Sequence, residues 1–400
     1  MTPAALVGAV LEHNAGLGAH SAAADAARYR IEVARALDDP TLSYAFAPRT
    51  FGREGQGLNQ RIELGQSIPW PGTLGARESV ARRQTLAAEQ DVQAMRLEFE
   101  FLARAAYAEW YFVDRTLEIH QSRHDLLVEL RAIAESRYAA GLALQQDALQ
   151  SEVELARLQR HGFELNRLQQ SARAHINSLL NQHPNTRLPN AVDIAFSTRV
   201  PPLADLEYHA LEHHPEMKRL EAQLAAESAN VILAEKAFLP DLRVTASYNS
   251  LWDEADKRPM VGLAINVPLD RRKRKAALSG ARADRHRAEL RLADRRVRLL
   301  ADVVRARAEV TESVQTVELF EQSLLPLAAE YLDATVADYR SGAGGFLAVI
   351  DAEHRKFVLE ESLVRHRADY STRVAALERW AGISLESVPH TATEVHRDSD

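Results

Sequence analysis

The stretch Leu239-Pro240-Asp241-Leu242-Arg243-Val244-Thr245-Ala246-Ser247-Tyr248-Asn249 decides the architecture. Leu242, Val244, Ala246 and Tyr248 alternate with Arg243, Thr245, Ser247 and Asn249. A period of two with one apolar face predicts a half-buried strand. The next segment repeats the pattern, with Val261, Leu263, Ile265 and Val267 opposing Gly262, Ala264 and Asn266. The same pair occurs earlier in the chain. Leu42, Tyr44 and Phe46 oppose Thr41, Ser43 and Ala45, and Ile62, Leu64 and Ile68 oppose Arg61, Glu63 and Ser67. Each segment is about 8–10 residues, close to the roughly 9–11 that a tilted strand needs to cross a bilayer. A soluble sheet covered by helices fits the same periodicity.

The recurrence extends beyond the strands. Ala36-Leu37-Asp38-Asp39-Pro40-Thr41-Leu42 aligns with Ala237-Phe238-Leu239-Pro240-Asp241-Leu242, and Gln66-Ser67-Ile68-Pro69 with Ile265-Asn266-Val267-Pro268. Arg137-Tyr138-Ala139-Ala140-Gly141 aligns with Asp338-Tyr339-Arg340-Ser341-Gly342, and Leu11-Glu12-His13-Asn14 with Leu211-Glu212-His213-His214. Anchors that keep one order and nearly one spacing indicate two copies of a unit, with a period far longer than a solenoid repeat. The first repeat covers 1–200: short helices, a hairpin over 41–69, a long helix over 72–138 and a return helix over 146–181. The second covers 201–388, with a helix over 216–238, a hairpin over 241–268, a long helix over 270–338 and a return helix over 346–381. The first short helix, about 21–37, ends before Pro40, as 216–238 ends before Pro240. The polar tail 389–400 is expected to be disordered.

The chain has 400 residues, net charge −7 and no Cys. Disulfides, zinc–thiolate sites and thiol catalysis are thereby excluded. No stretch reaches the roughly 20 apolar residues of a membrane-spanning helix, so any membrane insertion uses strands. The start, Met1-Thr2-Pro3-Ala4-Ala5-Leu6-Val7, lacks the basic and apolar regions of a signal peptide.

Four strands do not close a barrel, and an open sheet in lipid leaves unpaired edges. Three copies in cyclic symmetry would supply twelve strands. A helix of about 67 residues spans roughly 100 Å, far beyond a compact core. Leu97, Phe101, Ala105, Ala108 and Phe112 recur at near-heptad spacing, as lateral coiled-coil packing requires.

Leu239-Pro240-Asp241-Leu242, Val267-Pro268-Leu269 and the Tyr-x-x-Gly turns at Tyr138/Gly141 and Tyr339/Gly342 resemble the TolC family of outer-membrane efflux proteins. The resemblance runs from about Leu6 to Ile383. Gln66-Ser67-Ile68-Pro69-Trp70-Pro71-Gly72-Thr73-Leu74-Gly75 is similar to the "IPxPGKL" junction of its CzcC-like heavy-metal branch, with Thr73 in place of Lys. It implies a mainly α fold with a small β part: a duplicated long-helix coiled-coil α-barrel, with four strands contributing to a trimeric transmembrane β-barrel. It also implies a homotrimer in the cell outer membrane with a periplasmic helical extension. The partners would be outer-membrane lipid, a periplasmic adaptor (membrane fusion) protein and an inner-membrane resistance–nodulation–division pump. The implied role is passive export of substrates, heavy-metal cations among them, with neither enzyme activity nor a cofactor.

The resemblance further implies a gate near the second turn. There Asp351 is retained and Ala348 replaces a second acid, while the first repeat has Asp147, and Gln150 at the place of Asp351. Charged rings are a selectivity device; solvated acids near a helix start are the plainer account. Tyr138, Gly141, Tyr339 and Gly342 would form the turns and meet the adaptor. His120/His124 and His209/His213 share helix faces at i,i+4 spacing but lack a third metal ligand, so no metal site is assigned. Arg271-Arg272-Lys273-Arg274-Lys275 is a basic run without interleaved aromatics, which argues against a nucleic-acid partner. No nucleophile elbow, phosphate loop or HExxH motif is present. The rival to the channel is a soluble coiled-coil scaffold.

Overall fold

A computed structural model describes residues 1–48, 59–250, 252 and 254–385 of the chain. The expected tail 389–400 and the tip of the first hairpin, 49–58, lie outside them. The elements run α1 (Pro3–His13), α2 (Ala15–Arg35), β1 (Thr41–Phe46), β2 (Gln60–Ile68), α3 (Thr73–Ala139) and α4 (Gln145–Leu179). Then come α5 (Leu203–His213), α6 (Pro215–Lys236), β3 (Asp241–Asn249), β4 (Pro259–Asn266), α7 (Arg271–Leu319), α8 (Leu325–Ser341) and α9 (Phe346–Ala381). The fold is mainly α with one small four-stranded sheet.

The helix expected to run unbroken over 270–338 is interrupted. Residues Phe320–Leu324 form a π segment between α7 and α8. Pro326 explains it: the residue has no N–H to give the Gln322 carbonyl, and its ring crowds that carbonyl, so the ladder widens locally.

Contacts divide the chain into two compact units, each drawing on both halves of the sequence. One comprises Ala19–Gln93 and Pro215–Val297. Its helices α2, α3 and α6 meet through small side chains: Ala24, Ala27, Ala76, Ala81, Ala87, Ala226 and Ala229 are buried. Thr85 donates from this seam to the carbonyls of Ala27 (3.0 Å) and Ala81 (2.9 Å).

The sheet belongs to this unit. Its order is β1-β2-β3-β4, antiparallel throughout, so β2–β3 pairing joins the two hairpins. Register aligns Tyr44 with Ile62 and Tyr248, and Leu64 with Ala246 and Val261. One face is therefore apolar across all four strands. The alternation predicts half-burial, yet within one chain this face is open: Val261 is 85% exposed, Leu42 73% and Leu263 67%. Among the described residues no helix covers this face. The outer strands β1 and β4 each have one free edge among the described residues.

The other unit comprises Met1–Gly18, Ala94–His214 and the described residues from Arg298 on. The expected heptad stripe on α3 becomes a wider buried zone here. Ala103, Ala106, Tyr107, Ala108, Trp110, Tyr111, Phe112 and Val113 are all buried, so α3 is apolar nearly all round. Leu6 and Val10 of α1, Ile176 and Leu179 of α4, and Val364 and Ala368 of α9 pack against it. An irregular strap between α4 and α5 closes the remaining side. Trp110 donates to the Pro189 carbonyl (3.1 Å), Asp114 accepts from Ala191 N–H (2.8 Å), and Tyr370 donates to the Ser197 carbonyl (2.9 Å).

Tyr107 is the hub of that strap. Its hydroxyl accepts from Val192 N–H (2.8 Å) and lies 2.7 Å from the Val192 carbonyl. Tyr107→Phe keeps the ring but removes the hydroxyl's bonds, while Val192 N–H keeps the Met1 carbonyl at 3.2 Å, so it should lower unfolding free energy by about 0.5–1.5 kcal/mol. Denaturant melts of the detergent-solubilised protein would measure the loss.

Candidate functional site: the helical turns and a buried charge cluster

Two chain reversals have the same construction. Gly141 (φ +74°) and Gly342 (φ +84°) follow α3 and α8 in the left-handed region that glycine adopts without a Cβ clash. Leu142 N–H donates to the Arg137 carbonyl and Ala343 N–H to the Asp338 carbonyl, both at 2.9 Å. Gly141 and Gly342 donate to the carbonyls of Tyr138 (2.9 Å) and Tyr339 (3.1 Å). This double closure is the Schellman motif, which satisfies the last carbonyls of a helix.

The two tyrosines differ. Tyr138 is 48% exposed, whereas Tyr339 is buried. The Tyr339 hydroxyl lies 3.4 Å from Asp147 Oδ2, and its ring packs on Phe346. Burial, followed by the nearby Asp147 charge, raises the Tyr339 pKa. Arg137 ties the turns together. Its guanidinium carbon sits 4.9 Å from the Tyr339 ring centroid, and Nη1 donates to the Arg340 carbonyl at 3.0 Å. Sequence reading missed this arginine, although it stands beside Tyr138 in the first turn motif.

The predicted acids are not equivalent either. Asp147 lies in the first turn of α4, where the helix dipole favours an anion. Asp351 lies beyond the first turn of α9, so the dipole does not account for it. It pairs with Arg355 at 2.8 Å and stays about half exposed. Asp351 and Gln150 line one cleft between α4 and α9, together with His161, His354 and Glu361.

Behind that cleft is a cluster that no sequence motif announced. Arg123 of α3 lies 2.9 Å from Glu353 of α9 and 4.0 Å from Glu154 of α4, with its guanidinium 4.1 Å from the Phe357 ring centroid. Both carboxylates are buried, and Arg157 satisfies Glu154 at 2.7 Å. Burial raises the Glu353 pKa despite Arg123. One cation thus joins three helices, and losing it would leave buried charge uncompensated.

Neither histidine pair is organised for metal. His120 Nε2 bonds the Leu158 carbonyl at 2.8 Å, His124 lies beside Asp125, and His209 and His213 have ring centroids 5.5 Å apart. No group of three metal-binding side chains occurs among the described residues. No described helix is long and apolar enough to cross a membrane.

The cluster gives a pH prediction. With its native pKa raised from 4.5, Glu353 holds its proton after the unfolded chain has released it. Its contribution is fully present below the unfolded value and is lost as pH rises through the native value. Glu353→Gln should remove that component, flattening thermal stability against pH above about 4.5. Arg123→Met should cost about 3–5 kcal/mol near neutrality. Melting curves across pH would separate the two effects.

Residues 206–383 match the family model "Outer membrane efflux protein". The cobalt-zinc-cadmium resistance protein CzcC of Cupriavidus metallidurans is 24% identical over 302 residues, 75% of this chain and 70% of that protein. The solvent efflux pump outer membrane protein SrpC of Pseudomonas putida is also 24% identical, over 74% of this chain, which spans 65% of SrpC. A structure of CusC, described in terms of transmembrane channel formation, superposes with a TM-score of 0.81 at 18% identity, covering 95% of this chain and 92% of CusC. Over residues 206–383 the chain is thus similar in sequence to outer membrane efflux proteins, and over 95% of its length it shares the fold of CusC.

Proposed function

We propose that the chain is one third of an outer-membrane efflux conduit: a homotrimer whose strands close into a twelve-stranded barrel and whose helices extend into the periplasm. The carrying observation is the sheet, whose apolar face is uncovered and whose two outer edges are unpaired among the described residues. Such a face suits hydrocarbon, and free edges in hydrocarbon require a partner strand. The recurring element order supports reading 1–200 and 201–388 as two repeats that supply two strands each. A soluble scaffold has no use for an exposed apolar sheet.

In this reading the turns at Tyr138/Gly141 and Tyr339/Gly342 form the periplasmic end, where a periplasmic adaptor linked to an inner-membrane resistance–nodulation–division pump docks. The Tyr339–Asp147 contact and the Arg137 bridge hold the turns together. Asp351 and Asp147 supply rings of negative charge along the conduit, one acid per repeat. The cargo assignment is heavy-metal cations. It is supported by the Pro69–Gly72 junction and by likeness to CzcC; SrpC, a solvent pump protein by name, has equal identity.

Planar-bilayer recording tests the conduit. The purified protein should form discrete channels, and Asp351→Asn should lower cation-over-anion permeability, roughly two- to threefold. Absence of channels would contradict the conduit; unchanged selectivity would contradict the Asp351 ring alone. A deletion strain tests the cargo. Hypersensitivity to cobalt, zinc or cadmium supports metal export, and hypersensitivity confined to organic solvents overturns it.

A further inference from the structure

The basic run Arg271-Arg272-Lys273-Arg274-Lys275 has no part in the conduit as described so far. It occupies the start of α7, where the helix dipole disfavours positive charge. Arg274 is engaged, donating to the carbonyls of Ala237 (2.7 Å) and Asp270 (3.1 Å). Arg271, Arg272, Lys273 and Lys275 are exposed and make no ion pair among the described residues.

The fold itself does not require these cations. The corresponding junction after β2, Gly72-Thr73-Leu74-Gly75-Ala76, carries none. The two junctions differ in their neighbours. β2 is flanked by β1 and β3 of its own chain, whereas β4 has only β3. The cations mark the junction whose second neighbour is missing.

The other free edge carries the complement. Asp38 and Asp39 precede β1, are exposed, and make no ion pair among the described residues. Before the interior strand β3 the equivalent stretch, Phe238-Leu239-Pro240, is neutral. Opposite charges thus flank the two edges, while at the interior junction a single pair of charged residues is engaged locally: Lys236 lies beside Gly72 and Asp241 holds Trp70 N–H.

Strand polarity brings the two sets together. With four antiparallel strands, β1 of a second copy set beside β4 continues the alternation. Its Thr41 end then meets the Asn266 end of β4, as Asp241 meets Asn266 within the chain. Residues before one strand do reach residues after its neighbour: Asp241 Oδ1 accepts from Trp70 N–H at 3.0 Å, and Arg274 reaches Ala237. Gln66 also holds the Asp38 carbonyl at 2.8 Å, which fixes the backbone that carries the acids.

We infer that Asp38 and Asp39 of one copy pair with Arg271, Arg272 and Lys273 of the next, forming an ionic clasp at the base of every seam between copies. This rests on the closed-barrel reading above. The clasp fixes which strands meet at a seam: β4 accepts β1 of the next copy, while a second β4 held in the same membrane orientation would run parallel and set cation against cation.

The chain has no Cys, so a double variant carries only the two thiols introduced. Oxidised Asp39→Cys/Arg272→Cys protein, extracted in detergent, should give covalent dimers and trimers on denaturing gels. Asp39→Cys/Met260→Cys, with the second thiol at the opposite end of β4, should not. Asp38→Lys/Asp39→Lys should raise the subunit dissociation constant at least about tenfold, because like charges then face each other. Adding Arg271→Glu/Arg272→Glu/Lys273→Glu should restore assembly. An assembled double-Cys protein without cross-links, or charge reversals that fail to compensate, overturns the clasp but not the channel. So does intact assembly of Asp38→Lys/Asp39→Lys together with loss of phosphatidylglycerol-vesicle binding on neutralising the run, which would assign the cations to lipid. Wild-type protein that stays monomeric overturns both.

Discussion

A backbone N–H or C=O in hydrocarbon has no water to bond, and each one left unpaired costs several kcal/mol. β1 and β4 each present a row of such groups along one edge, beside a face of Leu42, Tyr44, Leu64, Val244, Leu263 and Ile265. The apolar face favours lipid and the edges forbid it to a single chain. A further strand that continues the antiparallel alternation resolves the conflict, and a second copy of the chain offers one. The proposed assembly of several copies and its seam charges rest on that constraint.

The helices obey a different rule. The unit holding the turns packs through a broad core on α3, fastened by polar groups that each satisfy a partner in the strap. The unit holding the sheet packs its helices through alanine. Small residues allow close approach of backbones but bury little apolar area, so stability there depends more on the sheet's surroundings. In the proposed assembly those surroundings are lipid and the neighbouring copies.

Periodic features were legible in the sequence. A period of two marked the strands, and the Tyr-x-x-Gly pairs marked the reversals, because strand and cap chemistry is local. What was not legible depends on distance. Nothing near Arg123 announces Glu353, 230 residues away, and Arg137 acquires its role only when Arg340 is brought beside it. Pro326 was a readable signal of the break in α7–α8. Helical composition on both sides of it suggested continuity, and the lost backbone bond decided otherwise. The apolar strand face was legible as a face but not as an exposed one, since periodicity says which residues share a side and not what covers that side. Of the expected site residues, Tyr339 and Asp147 come together, Asp351 lines the cleft, and Tyr138 stands exposed.

The central claim is that one chain holds only part of a barrel. Native mass spectrometry of protein extracted from membranes tests it most directly. The account predicts the mass of three chains released from the detergent micelle. A single chain that stays soluble without detergent would contradict it.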